Sequence, residues 1–161
     1  MNTAHFIRAI ATGLDKRLAS LVALLAFLGG ANASSADCLD DAAAYHGVDS
    51  SLVHAIAQNE SHMHADAVGH NTDGSEDIGL MQVNSGELPR LRKYGIARKD
   101  LFDPCVNAFV GTWIFKSKID RYGATWAAVG AYNATTPWKQ LRYAIQIHSL
   151  LGQASKSSDL R

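Results

Sequence analysis

Glu60 occupies a position where the hydrophobic pattern of its predicted helix favours an apolar side chain. Steps of four residues lead from Leu52 through Ile56 to Glu60, so the carboxylate projects from the stripe that faces the core. Burial and the partial negative charge at a helix C-terminus both raise the pKa of a carboxylic acid. An acid that stays protonated near neutral pH can serve as a general acid. The alternative is a glutamate that turns to solvent at the last turn of the helix.

Two groups of side chains after Glu60 are compared with metal sites. The first comprises His62, His64 and His70. The two closest of these histidines are two residues apart, so they point in different directions on a helix, and we expect them to be solvated. The second alternates like a calcium loop and comprises Asn71, Asp73, Ser75 and Asp77. Glu76 stands where an EF-hand has glycine and Gln82 replaces its bidentate glutamate, so we expect no metal and no cofactor.

The composition and charge of the chain exclude several classes of protein. Its 161 residues are 47% hydrophobic and 19% charged, which is typical of one globular domain and not of a disordered chain. The 15 basic and 15 acidic side chains cancel, so the net charge does not indicate a nucleic-acid partner. We expect one domain, preceded by an N-terminal segment of different character.

That N-terminal segment, residues 1–33, has the three parts of a signal peptide. Basic side chains precede an apolar run over residues 18–28, and Ala31 and Ala33 form a small-x-small cleavage site. The run of 11 residues is shorter than the roughly twenty that span a bilayer. We therefore expect cleavage after Ala33, export, and no stable membrane span in the mature protein.

Capping residues and hydrophobic spacing predict a mainly α domain over residues 34–152, followed by a flexible polar tail over residues 153–161. Helices are expected to begin after Cys38, Asp49, Asp103, Thr125 and Thr136. Residues 70–77 are rich in Asn, Asp, Gly and Ser, which indicates a loop or small hairpin. Loops in compact helical domains often carry the functional site.

Two helices of this domain are predicted from side chains that recur at helical spacing, and the first of them is expected to be the central buried helix. In the long helix after Asp103 the stripe comprises Val106, Phe109, Val110, Trp113, Ile114 and Ser117. In the last helix it comprises Leu141, Ile145 and His148. Both stripes recur at steps of three and four residues, as side chains on one face of a helix do.

The two cysteines, Cys38 and Cys105, both lie in the predicted mature chain. Neither has a second cysteine at the spacing of a zinc site, and an exported protein meets oxidising conditions. A disulfide between them is therefore expected, and it closes a loop that adds about 4 kcal/mol to stability in the chain-entropy model.

Three short motifs in order resemble those of the soluble-type (SLT) lytic transglycosylases. They are Glu60-Ser61, GLMQVN over residues 79–84, and AYNA over residues 131–134. The resemblance extends from Cys38 to about Leu151. It is closest to the small exported members that are associated with specialised secretion, conjugation or pilus systems. It implies a lysozyme-like fold, a periplasmic location and peptidoglycan glycan strands as substrate, with components of such a machine as further partners.

The resemblance also implies a role for each matching residue. Glu60 would protonate the oxygen between N-acetylmuramic acid and N-acetylglucosamine, and then accept the proton of the C6 hydroxyl as a 1,6-anhydro ring closes. Ser61 would support this transfer. The implied substrate-binding residues are Met81, Gln82, Asn84, Tyr132 and Asn133, with Met81 and Tyr132 as apolar walls. Tyr143 resembles the tyrosine that holds the catalytic glutamate, and its alternative role is a core aromatic.

Two features of the chain depart from this pattern. The third motif usually continues with glycine, whereas here residues 134–137 are ATTP, so the loop after Asn133 must turn differently. Four further carboxylates follow Glu60 within twenty residues, namely Asp66, Asp73, Glu76 and Asp77. One of them could take the second role that lysozyme gives to a carboxylate. A lysozyme-type hydrolase and a non-catalytic wall-binding protein are therefore the alternatives.

Overall fold

A computed structural model describes residues 34–158, with side chains described for residues 34–154. The predicted signal peptide, residues 1–33, lies outside the described residues. Among those that are described, no helix combines the length and the apolar character needed to cross a bilayer.

Helices make up most of the described chain. The α-helices are α1 (Ser35–His46), α2 (Ser50–Ser61), α3 (Leu88–Leu91), α4 (Pro104–Tyr122), α5 (Trp126–Asn133) and α6 (Pro137–Ser158). Short 3-10 turns cover Ser85–Glu87, Arg92–Tyr94 and Arg98–Phe102. The predicted mainly α class is confirmed.

The segment that was expected to form a loop or hairpin contains a small antiparallel sheet. Its strands are β1 (Val68–His70), β2 (Glu76–Ile78) and β3 (Val83–Asn84), and β2 lies in the centre. Ile78 pairs with Val68 on one side and with Val83 on the other. The turn between β2 and β3 contains residues 79–82, which are part of the second motif.

Two helix starts follow the predicted capping chemistry, whereas α1 begins at Ser35 and not after Cys38, and Thr125 makes no side-chain capping bond at the start of α5. The Asp49 carboxylate accepts a hydrogen bond from the Leu52 amide at 3.3 Å and begins α2. The Asp103 carboxylate accepts from the Val106 amide at 2.9 Å and begins α4. Side-chain oxygens at these positions satisfy amides that have no partner within the helix.

The core surrounds α4, which α1 and α5 contact from different directions. One cluster of buried side chains includes Leu39, Ile56, Leu80, Phe115 and Ile147. A second includes Ile78, Val83, Leu91, Leu101 and Val110. The predicted disulfide between Cys38 and Cys105 is present and joins α1 to the first turn of α4.

The stripe predicted for α4 is only partly correct. The buried positions of this helix are Asn107, Ala108, Val110, Gly111, Thr112 and Phe115, and Trp113 is only partly buried. Small side chains occupy the most crowded positions because neighbours approach closely: a Cβ on Gly111 would lie 2.6 Å from the Met81 sulfur. Apart from Val110 and Phe115, the buried face of α4 therefore carries small or polar side chains, which the apolar stripe did not indicate.

The helix predicted after Thr136 is present, but the side chains whose spacing predicted it do not form its buried face. Tyr143, Ala144 and Ile147 are the side chains that face the core, whereas Leu141 and Ile145 are 64% and 60% exposed. The helix is apolar on two opposite faces, and contacts with α2 and α5 determine which face is buried. The helix also continues to Ser158, beyond Gly152, where the sequence suggested the start of a polar tail.

Candidate active site

Glu60, the last residue but one of α2, opens into a cleft of about 690 Å³. One wall comes from the sheet and the turns around it and includes Asn71, Asp73, Ser75, Asp77, Gln82 and Asn84. The opposite wall comes from the end of α5 and the start of α6 and includes Tyr132, Asn133, Thr135, Thr136 and Lys139. The lining is rich in hydroxyl, amide and carboxylate groups, which suits a saccharide.

The surroundings of Glu60 favour its protonated form. Burial raises the pKa of Glu60 from 4.5 to about 7, and the charge of Asp77 adds to the rise. The Tyr143 hydroxyl donates a 2.5 Å hydrogen bond to Glu60 Oε1, which opposes the shift. Burial is thus the main cause, as expected, while Asp77 is an additional one that the sequence did not indicate. A carboxyl with this pKa can both donate and accept a proton near neutrality.

Tyr143 is at once a core aromatic and the partner of Glu60. Its side chain is only 3% exposed, and its hydroxyl reaches the carboxylate from α6. Burial, followed by the charge of Glu60, raises the pKa of Tyr143, so the hydroxyl keeps its proton and acts as a donor. The two roles that the sequence left open are therefore compatible.

Asp77 is held across the cleft by two amide side chains. Asn84 Nδ2 donates to Asp77 Oδ1 at 2.8 Å, and Asn71 Nδ2 donates to Asp77 Oδ2 at 2.9 Å. Both amides also donate to the Ser75 hydroxyl, each at 3.1 Å. Asn84 thus belongs to the site mainly as a support for Asp77, which the sequence alone did not reveal.

Gln82 lies in the turn before β3 with a φ of 50°, in the left-handed region that side chains other than glycine seldom adopt. Its amide nitrogen donates to the Gly79 carbonyl at 2.9 Å and to the Ala67 carbonyl at 3.2 Å. These bonds fix the side chain and leave the amide oxygen as the acceptor that can meet a ligand.

Asn107, on α4, makes hydrogen bonds to the turn that contains Gln82 and to the residues next to it. Its Nδ2 donates to the carbonyls of Ile78 and Leu101, both at 2.8 Å, and its Oδ1 accepts from the Met81 amide at 2.7 Å. The side chain is fully buried, so all three bonds are formed away from water. No role was predicted for Asn107 from the sequence, although a polar residue on a core helix is a signal that could have indicated one.

Two residues expected to act at the substrate lie beneath the cleft instead. The Ser61 hydroxyl is buried and donates to the Leu80 carbonyl at 2.7 Å, which ties α2 to the turn. Met81 is fully buried and packs against Gly111, so it does not form a wall of the cleft. Both residues support the shape of the site from within the core.

Tyr132 and Asn133 do line the cleft. The Tyr132 hydroxyl donates to the Met81 carbonyl at 2.8 Å, which joins α5 to the turn, and Asn133 is exposed at the end of α5. After Asn133 the chain extends at Ala134, with φ −145° and ψ 158°, and the side-chain Nε2 of Gln140 donates to the Ala134 carbonyl at 2.9 Å. An extended residue needs no glycine, which explains how this chain departs from the third motif.

The residues considered as metal ligands have other roles or surroundings. His62 ends α2 in a left-handed conformation, with φ 53°, and Asp73 accepts a 2.7 Å hydrogen bond from the hydroxyl of Ser75. Within residues 34–158, no three His, Cys, Asp or Glu side chains are grouped so that they could hold a metal ion.

Comparison with known proteins agrees with this geometry. Residues 37–144 match the family model described as the transglycosylase SLT domain. The chain belongs to this family. It is 47% identical over 121 residues to the invasion protein IagB of Salmonella typhimurium, covering 72% of this chain and 76% of IagB. It is 40% identical over 118 residues to the protein IpgF of Shigella flexneri, covering 70% of this chain and 78% of IpgF.

A solved structure shows the same fold. The X-ray structure of an inactive mutant of the lytic transglycosylase Slt from Pseudomonas aeruginosa superposes with a TM-score of 0.60 at 23% identity. The match covers 75% of this chain and 24% of Slt, so it concerns one part of a longer protein. The predicted family and lysozyme-like fold are confirmed, and the chain is a peptidoglycan lytic transglycosylase.

Proposed function

We propose that Glu60 alone supplies the acid and the base for cleavage of the bond between N-acetylmuramic acid and N-acetylglucosamine. The protonated carboxyl gives its proton to the glycosidic oxygen, and the bond from that oxygen to C1 of the muramic acid breaks. The carboxylate then takes the proton of the C6 hydroxyl, whose oxygen bonds to C1. The carboxyl is regenerated, no water is consumed, and the product carries a 1,6-anhydro ring.

The observation that carries this proposal is the pKa of Glu60, about 7, at the base of a polar cleft. One group can serve as acid and then as base only if its two protonation states are close in free energy at the working pH. The Tyr143 hydroxyl donates to the Glu60 carboxyl, and Gln82 and Asn133 line the same cleft, which supports their assignment to the binding of sugar substituents.

Mass spectrometry of digested peptidoglycan tests the reaction. Muropeptides released by this protein should end in 1,6-anhydro-N-acetylmuramic acid and be lighter by one water than the products of a hydrolytic muramidase on the same wall. Reducing muramic ends would assign hydrolysis instead. A protein that binds the wall without releasing any fragment would be the non-catalytic alternative.

A lysozyme-type hydrolase is the second candidate, and Asp77 is the observation that favours it. Asp77 lines the same cleft as Glu60, is close enough for its charge to raise the pKa of Glu60, and is held by Asn71 and Asn84. A fixed carboxylate of this kind could stabilise positive charge on the sugar ring or activate water. If hydrolysis occurs, Asp77→Asn should remove the reducing products selectively.

We further propose that the protein acts in the periplasm, where it opens the wall for assembly of a secretion or pilus apparatus. Support comes from the signal-like residues 1–33 and from the relative named invasion protein IagB. Cell fractionation with N-terminal sequencing tests the first part: the exported protein should begin at Ser34. A chain that keeps residues 1–33 in the cytoplasm would contradict it.

A further inference from the structure

One face of α6 exposes a row of apolar side chains. Trp138, Leu141 and Ile145 are 61%, 64% and 60% exposed, and His148 follows on the same line. We define these four residues as the α6 seam. They lie on the side of the helix opposite to Tyr143 and Ile147, which are buried. Because isolated exposed apolar residues are common but an aligned row is not, the seam is a candidate interaction surface.

The α6 seam extends onto α5 through Trp126. The ring centroids of Trp126 and His148 are 5.1 Å apart, and Trp126 is 45% exposed. The apolar surface therefore has an aromatic residue near each end, Trp138 at one and Trp126 at the other. Large aromatic side chains that remain accessible are typical anchors of protein interfaces.

The spacing of the α6 seam indicates what kind of element it can accept. Its residues follow one another at intervals of three, four and three, which is the spacing of the contact line between two packed helices. A helix bound at a membrane surface usually presents a wider apolar sector. Here Arg142 and Gln146 are polar and exposed beside the line, so the seam is narrow.

The charge of this part of the chain indicates the character of the partner. Residues 121–158 contain 4 Lys and Arg and no Asp or Glu, whereas residues 34–120 contain 7 Lys and Arg and 13 Asp and Glu. Arg142 lies next to the α6 seam, and Lys139 follows Trp138. Two copies of this face would bring like charges together, which disfavours self-association through it.

We propose that the α6 seam docks an α-helix of another protein, one with apolar residues at intervals of three and four and acidic residues on their flanks. Apolar side chains of that helix pack between Trp138, Leu141 and Ile145, and its carboxylates pair with Arg142. None of the four seam residues lines the cleft that contains Glu60.

A synthetic peptide tests the proposal. A 21-residue helical peptide with leucines at intervals of about three and four and glutamates on the flanks should bind the protein. A matched peptide with lysines in place of the glutamates should bind at least about tenfold more weakly. Fluorescence anisotropy of the labelled peptides measures both affinities, and a blue shift of tryptophan emission reports contact with Trp138.

Variants of α6 locate the contact. Leu141→Ala with Ile145→Ala should weaken binding of the acidic peptide by at least about tenfold, while Gln146→Ala, an exposed control on the same helix, should leave it unchanged. Arg142→Glu should reduce or reverse the preference for the acidic peptide. Peptidoglycan cleavage should be unaffected by these variants, since none of their residues lines the cleft.

Several outcomes would overturn the proposal. They are failure of the acidic peptide to bind, equal binding of the two peptides, and unchanged binding by the Leu141→Ala and Ile145→Ala variant. Binding to phosphatidylglycerol vesicles through Trp138 without binding to the peptide would assign the seam to a membrane surface. A dimer in sedimentation that the same double variant dissociates would assign it to a second copy.

Discussion

Glu60 and Asp77 are carboxylates of one cleft, and their surroundings differ. Glu60 is partly buried and receives one hydrogen bond, from Tyr143, whereas each oxygen of Asp77 accepts from an amide side chain. Burial favours a neutral carboxyl and hydrogen-bond donors favour a charged one. The site therefore pairs a carboxyl suited to proton transfer, Glu60, with a carboxyl whose position is fixed by two amide side chains, Asp77.

The first prediction concerns Glu60→Gln, which keeps the shape of the side chain but cannot transfer a proton. The rate of wall cleavage should fall by about 10² to 10⁴, the usual contribution of a general acid or base. Release of labelled muropeptides measures the rate, and a pull-down with insoluble wall measures binding, which should persist. Glu76→Gln is the control, because Glu76 pairs with Arg98 outside the cleft. Near-parental activity of the Glu60 variant would exclude it as the catalyst.

The second prediction concerns Tyr143→Phe. Removing the hydroxyl removes the hydrogen bond that lowers the pKa of Glu60, so that pKa should rise above its present value of about 7. Because the reaction needs protonated Glu60, the alkaline limb of the kcat/KM profile should move to higher pH, while kcat falls as the carboxyl loses its orientation.

Tyr132→Phe is the matched control for this experiment. Its hydroxyl donates to the Met81 carbonyl and not to Glu60, so the alkaline limb should stay in place. A limb that moves equally in both variants would mean that loss of packing, and not the hydrogen bond to Glu60, causes the shift.

At the residue scale, the sequence predicted the chemistry of Glu60 because a carboxylate on an apolar stripe is a local pattern. It could not show that Met81 is buried while its neighbour Gln82 faces the cleft. That difference depends on the turn conformation, with Gln82 at a φ of 50°, and on the buried Asn107 that binds the turn. Contacts between residues far apart in sequence therefore determine which of these two side chains faces the cleft.

At the scale of elements, the turn between β2 and β3 has no space for a side chain at Gly79. Gly79 has a φ of 77°, and a Cβ on it would lie 2.3 Å from both the Asn107 amide nitrogen and the Leu101 carbonyl oxygen. Backbone and a fully bonded side chain cannot move aside cheaply. This turn therefore couples the second motif to α4 and to the 3-10 turn at Arg98–Phe102.

The third prediction follows from that crowding. Gly79→Ala should lower the free energy of unfolding by more than about 2 kcal/mol and also reduce cleavage, because the turn that carries Gln82 must shift. Gly74→Ala is the control: its φ is 84°, but a Cβ there would meet nothing within 4 Å. Gly74→Ala should lower the free energy of unfolding by about 1 kcal/mol, which is the conformational strain of alanine at a positive φ. If urea denaturation shows that both variants lose the same free energy of unfolding, crowding at Gly79 is unimportant.

The starts of α2 and α4 were predictable from the sequence, whereas the choice of buried face was not. Asp49 and Asp103 act locally, through bonds to amides two or three residues ahead. In α6 both faces carry apolar residues, and only packing against α2 and α5 selects Tyr143 and Ile147 for the core. The short helical turns between β3 and α4 were not predicted, because their residues show no hydrophobic periodicity.

At the scale of the whole molecule, acidic and basic side chains are concentrated in different parts of the chain. The excess of acidic residues lies before Arg121, and the segment after it is basic up to Ser158. The disulfide between Cys38 and Cys105 and the packing of α1 on α4 connect the ends of the acidic part. The α6 seam and the catalytic cleft belong to this same domain, and none of the seam residues lines the cleft.

The last prediction links the catalytic group to the stability of the whole molecule. Folding raises the pKa of Glu60 from 4.5 to about 7, so the folded protein binds this proton more tightly than the unfolded chain does. The contribution of Glu60 to stability is complete below pH 4.5 and is lost as the pH rises through 7. Glu60→Gln does not titrate, so its stability relative to the parent should increase over this range by about 1–3 kcal/mol.

Urea denaturation of both proteins at pH 4 and pH 8 measures this change. Glu76→Gln provides a control of opposite sign: Arg98 lowers the pKa of Glu76, so that variant should be the less stable one at pH 8 and approach the parent as the pH falls below the ordinary range of a glutamate. If the stability of Glu60→Gln relative to the parent is the same at both pH values, folding does not shift the titration of Glu60. The proposal that the pKa of Glu60 lies near neutral pH would then be contradicted, whatever the activity of the variant.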